Sequence, residues 1–542
     1  MALKENKRLL FILFSALIFN SFFVNKAFHI DDPFTINIAR AVASDFIRVQ
    51  EVFFSNPIFL GYYYAPVIKI FGESELLMHI FYMPFTLLSI VAMYLLSLRF
   101  AGRSLIPTLM MVVTPAFVVM SQGIMLDIPM LGFYLSSLAA FIYGVDKGEK
   151  KLLLLSGILG GMAILTKYTA LLVIPIMLVY LILFSKRRSH FIFIVIPVTI
   201  FCLWALHNLF FYNNFPLYYA FLFRMKNCSF EQIMFRVFAC LSFISGASVI
   251  GLLSFPLLLG KRKNIVLLLL SLCAGLCPFA AGGLFREYGV LEKSALALFF
   301  IASFFIICFI TKKLFESVFK KPRDRDSAFL CVWFILSLIS IILTQFISAR
   351  FVMLLFPPMF ILIYRSIKEI WEDRAWVLKL ALPACLCAAF AVSIVVAIGD
   401  YQLAGLYRDF VKRIDGYGLK KKEIYFCPNA YSMTLAWGYA YYLDSQYPEG
   451  GQWNESGKYS LAILPARKVL PITIQGLCPL PRQAAGAGQK EAGRYLYSGY
   501  VLVHSRENRV GFYSHDWGLL PFKFSPGKRA LEEFIIYDLS GH

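Results

Sequence analysis

Long apolar runs parted by short polar stretches recur from Leu9 to Ile398. The runs are continuous and do not alternate apolar with polar, so they predict helices. Most approach the ~20 residues a helix needs to cross the hydrocarbon core of a bilayer, where helices and closed barrels are the only spanning options. About 13 spans can be drawn, at about 9–27, 76–98, 104–121, 127–145, 152–166, 169–184, 191–207, 237–259, 264–283, 294–311, 328–347, 350–364 and 377–398. After Tyr401 the apolar runs shorten and Gly, Pro, Tyr and charges spread throughout. Short pieces such as Glu423–Phe426 and Tyr500–His504 read there as strands. The expected architecture is an all-α polytopic membrane part over residues 1–400, with a long first loop at 28–75, and a small mixed α/β domain over 401–542.

Charge fixes the expected orientation. Only 15% of the 542 residues are charged, against about a quarter in a soluble chain. The 52 Lys and Arg exceed the 32 Asp and Glu, for a net charge of +20. Much of that excess sits in clusters between apolar runs, among them Lys4, Lys7 and Arg8; Arg99 and Arg103; Lys186–Arg188; Lys312 and Lys313; Arg365 and Lys368. With 13 spans every such cluster falls on one side, the positive-inside pattern of cytoplasmic loops. The same count puts loop 28–75, the linker around Asp127 and residues 401–542 on the outer face, in a membrane expected to be a bacterial inner membrane. A basic face interleaved with stacking aromatics is not seen, which argues against nucleic acid as a partner. Most of the 11 cysteines lie inside apolar runs, where cysteine behaves as a small hydrophobe. Cys427 and Cys478 lie in the C-terminal part and could pair if it is extracytoplasmic.

Acids are rare in the membrane part, so those near the outer face carry information. Asp31 and Asp32 follow the first span directly, then Pro33; Asp127 stands between two spans in Gly123-Ile-Met-Leu-Asp-Ile-Pro129. Each could serve as a general base or metal ligand, or simply cap a helix. Lys167 and Arg350 stand at outer ends of spans, where basic side chains either snorkel toward headgroups or hold a phosphate. Arg40 and Lys69, on the first loop, are further candidates. His29 could be a metal ligand or a pH-sensitive neighbour, but reads first as an interfacial residue; His79 and His207 read as interface or packing residues. His504 and His515 join no recognisable constellation. Glycine-rich phosphate loops, zinc motifs and nucleophile elbows do not appear.

These residues resemble a known family. His29-Ile-Asp-Asp-Pro-Phe-Thr-Ile-Asn-Ile-Ala-Arg40, then Asn56-Pro57, Tyr62-Tyr-Tyr64 and Lys69-Ile-Phe-Gly-Glu-Ser74 follow the order of the GT-C membrane glycosyltransferases. The nearer relatives are the protein O-mannosyltransferase-like group, which includes the aminoarabinose transferases of lipid A. Met125–Pro129, Leu165–Leu171, and Arg350-Phe351 followed by Pro357-Pro358 resemble that group's later signatures. The resemblance covers roughly residues 1–365. Asn56 and His79 depart from it, standing where many relatives carry basic residues.

The resemblance implies transfer of a sugar from a polyprenyl-phosphate donor to a hydroxyl of a lipid, glycan or protein acceptor, with inversion. Asp31 would be the base; Asp32 and Asp127 would orient groups or hold a divalent metal. Lys167 and Arg350 would stabilise the leaving phosphate, with Arg40, Tyr63 and Lys69 as further substrate contacts. The other readings are a secondary transporter or lipid-linked glycan flippase, a glycan-binding sensor, and an oligosaccharide ligase using a pyrophosphate-linked donor.

Overall fold

The computed structural model describes residues 2–415 apart from 48, 50–55, 103, 186, 214–217, 219–228, 261–263, 281–282, 322, 345 and 375, and beyond them 424–426, 441–442, 461–465, 490–505 and 508–538. Cys427 and Cys478, and therefore their expected pairing, lie outside the described residues.

The chain is an all-helical polytopic membrane protein with a small C-terminal strand region. Among the described residues six helical stretches are long and apolar enough to cross a bilayer: Glu75–Phe100, Asp127–Lys147, Arg188–Tyr212, Val290–Phe319, Arg325–Ile342 and Val377–Ile414. Shorter apolar helices, Tyr168–Phe184 and Ile265–Ala280, stand beside them.

Two expected spans are broken. The stretch 104–121 forms two short helices, α5 (Ile106–Val112) and α6 (Pro115–Met120), because Pro115 cannot continue the first. Thr114 caps the second by accepting from Phe117 N at 3.2 Å. The stretch 237–259 bends by 73° between Phe230–Gly246 and Ile250–Leu259. The two breaks meet, with Ala116 N donating to Ala247 O at 3.1 Å. Ser303 Oγ donates to Ser245 Oγ at 2.8 Å and accepts from Ser245 N at 3.1 Å. Backbone groups freed inside a membrane are thereby paired within the protein, as hydrocarbon requires.

The long loop after the first helix (α1, Ala2–Ser21) is a helical hairpin. Its first helix, α2, Asp32–Ser44, packs on α3, Phe59–Phe71. A Cβ on Gly61 would sit 2.4 Å from Ile38 Cγ2, so only glycine permits this approach.

Three helices set the distance between the two ends of the membrane part. α7 (Asp127–Lys147) packs against α4 (Glu75–Phe100) and α8 (Lys150–Thr166). Its 21 residues span ~30 Å. At one end the basic clusters of separate loops are tied by acids. Arg99 bonds Asp146 at 2.5 Å and Asp326 at 3.1 Å, Arg365 bonds Asp324 at 3.0 Å, and Lys313 bonds Glu369 at 2.7 Å. At the opposite end lie Asp127, which opens α7, and Lys167, which follows α8. Arg350 lies there too, ahead of Phe356–Ile370, the helix that carries Arg365. Helix α8 meets Ile192–Tyr212 through a small-residue face, where Gly157 lies under Ile196 and Gly161 under Ile200.

The last long helix, Leu382–Asp415, runs unbroken across the expected boundary at 400/401. Its 34 residues measure ~51 Å, more than a bilayer core needs. Beyond it the strands order as β1 (Ile424–Phe426), β2 (Leu461–Pro465), β6 (Lys523–Asp538) and β3 (Lys490–Leu502). β1 and β2 are parallel and the other pairs antiparallel. Between β3 and β6 a short pair, β4 (His504–Ser505) and β5 (Val510–Gly511), leads the chain onto the membrane part.

Helix packing of this kind gives a direct test. Gly161→Val is expected to destabilise the detergent-purified protein by about 1–3 kcal/mol through overpacking against Ile200. Gly283→Ala, which meets nothing within 4 Å, leaves the thermal unfolding midpoint unchanged.

Candidate active site

The acid pair leaves the first helix through a strained turn. Ile30 has φ of 54°, a region a β-branched residue rarely enters. Asp31 occupies the cap position of α2 and Asp32 the first helical one, followed by Pro33. The cap is thus Asp31, one residue earlier than an Asp32-Pro33 start, and its side chain makes no cap hydrogen bond. The two carboxylates point to different partners, as adjacent residues on a helix must.

Asp32 is fully buried. Its Oδ1 accepts from Ile124 N at 2.9 Å, and its Oδ2 accepts from His29 N at 3.2 Å and faces His29 Nδ1 at 3.2 Å. Gly123 permits the approach, since a Cβ there would lie 3.2 Å from Asp32 Oδ1. Burial raises a carboxyl, but the hydrogen bond and charge of His29 outweigh it and hold Asp32 below its ordinary value.

Asp31 is one-third exposed and its Oδ2 lies 2.6 Å from Arg350 Nη1. The same nitrogen lies 3.5 Å from Asp127 Oδ2 and 3.2 Å from Met125 Sδ. Asp127 Oδ1 accepts from Lys167 Nζ at 2.6 Å. Lys167 stands 4.3 Å over the Phe351 ring, and Arg350 stands 5.5 Å over it. Asp127, Lys167 and Arg350 are buried; Asp31 is the member of the cluster that reaches solvent. Asp31, Asp127, Lys167 and Arg350, read separately from the sequence, form one continuous ion network.

The remaining candidates are engaged elsewhere. Arg40 pairs with Glu73 and lies 5.3 Å over Tyr441, Tyr63 donates to Phe81 O at 2.8 Å, and Lys69 is exposed. Asp32 is taken up by amide and imidazole donors and Asp127 by two cations. Among the described residues no three His, Cys, Asp or Glu side chains are grouped to hold a metal. The described side chains around Asp32 and Asp127 do not fit a divalent-metal centre.

Behind the acid pair lies a second network that the sequence reading missed. His29 is fully buried and is no interfacial residue. Its Nε2 lies 3.3 Å from Asp400 Oδ1 and 3.1 Å from the Tyr513 hydroxyl, which donates to Asp400 Oδ1 at 2.8 Å. Asp400 also pairs with Lys26, and both are fully buried. Burial lowers an imidazole, but Asp400 and Asp32 overcome it and raise His29 above its ordinary value. His504 stacks on Trp517 with ring centroids 4.1 Å apart, and among the described residues neither ring nitrogen is hydrogen-bonded. Burial pushes it down to about 3. The rule that marks an acid at a span end would have found Asp400, which closes the run Val395-Val-Ala-Ile-Gly399; Lys26 was absorbed into the first apolar run, and Tyr513 carried no local signal.

Two outcomes follow. Asp127→Asn leaves Lys167 without its carboxylate and is expected to cost about 3–5 kcal/mol in chemical unfolding, with part recovered in Asp127→Asn/Lys167→Met. His29 is raised from 6.5 in the folded state, so its stabilisation is present below pH 6.5 and is lost as pH rises through the folded value. The stability gap between wild type and His29→Gln should therefore narrow as the pH of the unfolding assay is raised from 6 to 9.

Comparison with known proteins adds an independent line. Residues 55–207 match the family model described as dolichyl-phosphate-mannose-protein mannosyltransferase. No curated protein sequence matches significantly. Among solved structures, the Saccharomyces cerevisiae protein O-mannosyltransferase Pmt1–Pmt2 complex bound to the sugar donor is 18% identical with a TM-score of 0.31. That likeness covers 39% of this chain, which spans about a third (34%) of the yeast chain. ArnT from Cupriavidus metallidurans bound to undecaprenyl phosphate is 14% identical with a TM-score of 0.46, over 98% of each chain. Over residues 55–207 the chain is thus similar to the dolichyl-phosphate-mannose-protein mannosyltransferase family.

Proposed function

We propose that this protein transfers a sugar from a polyprenyl-phosphate donor to a hydroxyl acceptor at the membrane surface away from its basic clusters. Glycosyl transfer of this general kind is what the family match supports. The observation that carries the reading is Arg350 Nη1, 2.6 Å from the one-third exposed Asp31 and 3.5 Å from the buried Asp127. It puts a base that reaches solvent next to a cation suited to phosphate.

The chemistry needs both. The acceptor oxygen attacks the anomeric carbon from the side opposite the phosphate, Asp31 takes the acceptor proton, and the bond between the anomeric carbon and the phosphate oxygen breaks with its electrons passing to phosphate. Configuration inverts. Arg350 and Lys167 stabilise the charge gathering on the leaving phosphate. Asp127 keeps both cations in place. As phosphate engages Arg350, it competes with Asp31 for the guanidinium and releases the carboxylate to act as base.

The transporter reading would cite the broken helices at 106–120 and 230–259. Those breaks satisfy each other through Ala116 and Ala247 and through a serine cluster, whereas the buried charges gather at one end of the bundle. Transport coupling groups are expected near the midplane.

The decisive assay offers a panel of radiolabelled polyprenyl-phosphate sugars to purified wild type and Asp31→Asn in matched detergent. Wild type should transfer or hydrolyse at least one donor, and the variant should lose about 10²–10⁴-fold in rate while still binding donor. Equal turnover by Asp31→Asn refutes the assignment of the base, and absence of turnover with every donor refutes the glycosyltransferase reading.

A further inference from the structure

Asp31 and Arg350 belong to segments more than 300 residues apart in the chain, yet they meet at 2.6 Å. Each segment is held from behind, and by the same short piece of the C-terminal part. Phe512 O accepts from Ala349 N at 2.8 Å, fixing the residue immediately before Arg350. Two residues before Ala349 and three after Phe512, His515 N donates to Ile347 O at 2.8 Å, and Ile347 N donates to His515 Nδ1 at 3.3 Å. The next residue after Phe512 is Tyr513. Its hydroxyl reaches the other partner, donating to Asp400 Oδ1 at 2.8 Å and lying 3.1 Å from His29 Nε2. His29 in turn faces Asp32 Oδ2 at 3.2 Å through Nδ1. Between His29 and Asp31 stands Ile30, the β-branched residue at φ 54°. A turn strained in this way persists only where its surroundings over-determine it.

We propose that Tyr513, from the C-terminal part, is a positioning residue for glycosyl transfer: with Asp400 it holds His29 and so the strained turn that aims Asp31, while its neighbour Phe512 holds the backbone that aims Arg350. This rests on the reading of Asp31 as base. The arrangement makes residues 512–515 a clamp joining the base to the phosphate-binding cation. It gives the C-terminal part a role in the reaction that needs no contact with substrate. The hydroxyl is the operative group. The Tyr513 ring packs edge-on to His29 and His504, each at 5.6 Å between centroids, and those contacts survive its loss.

Tyr513→Phe, made in the full-length chain, tests this with two readouts. Steady-state transfer should show kcat lowered about 10- to 100-fold, the cost of a catalytic group moved slightly from its place, with donor KM little changed. Hydrogen exchange of the backbone over Phe28–Ile36 should quicken about ten-fold as the turn loosens. His29→Gln should act through the same link, so the double variant should be no slower than the slower single; if Tyr513→Phe fails to fold, His29→Gln supplies both readouts alone. Unchanged exchange over Phe28–Ile36 overturns the clamp whatever happens to kcat. A kcat unchanged from wild type, or effects that multiply in the double variant, overturns the positioning role. Absence of transfer by the wild type would instead refute the glycosyltransferase reading, and the exchange measurement would still decide the clamp.

Discussion

Arg350 is buried among apolar side chains, and a charge taken out of water is tolerated only with partners of opposite sign close by. Its fork supplies them with a single nitrogen shared between Asp31 and Asp127, while Lys167 neutralises the other oxygen of Asp127. A lysine in place of Arg350 could offer the charge but not the planar set of five donors. The arrangement constrains the whole membrane part. The loop after α1, the start of α7, the end of α8 and the segment before Phe356 must all arrive at one place, and a shift of any of them leaves a buried ion unpaired.

Helix direction makes that convergence less costly. Asp127 and the acid pair stand at helix N-termini, where the partial positive charge of unpaired amides favours carboxylates; Lys167 follows a helix C-terminus, where a cation is favoured. The acids and the lysine are thus each on the end that suits them before they meet. The opposite end of the same helices gathers Arg99, Asp146, Asp324, Asp326 and Arg365, groups that reach water and need no such matching. One bundle therefore has an ion-paired end that reaches water and an end where Asp127, Lys167 and Arg350 are buried and Asp31 alone of the four is partly open.

What the sequence made legible was the part governed by local rules. Hydropathy and the basic clusters announced the membrane part, and isolated acids and bases at span ends pointed to Asp31, Asp127, Lys167 and Arg350. The breaks at Pro115 and around Ala247 were hidden because apolar composition continues through them; only a proline hinted at the first. Arg40, Tyr63 and Lys69 share the helical hairpin with the acid pair, but proximity in sequence did not mean proximity in space, since α2 and α3 direct Arg40 toward Glu73 and Tyr63 toward the Phe81 carbonyl. Tyr513 was invisible because its partners, His29 and Asp400, are 484 and 113 residues away.

Local rules also fail together at one place, which is where function is expected. Ile30 takes a backbone conformation that suits glycine. Among the described residues Arg350 Nε, Asp127 Oδ2 and Ser348 Oγ are buried without a hydrogen bond, and so are both nitrogens of His504. A protein selected for stability alone would remove such features, because an unsatisfied buried donor costs about 1–3 kcal/mol. Here the unsatisfied donor belongs to the guanidinium that already holds Asp31. A phosphate oxygen entering beside Arg350 would take up that spare donor and weaken its hold on Asp31 in one movement. On the proposed reading, the same unmade hydrogen bond that burdens the folded chain would favour donor binding and free Asp31 to act as base.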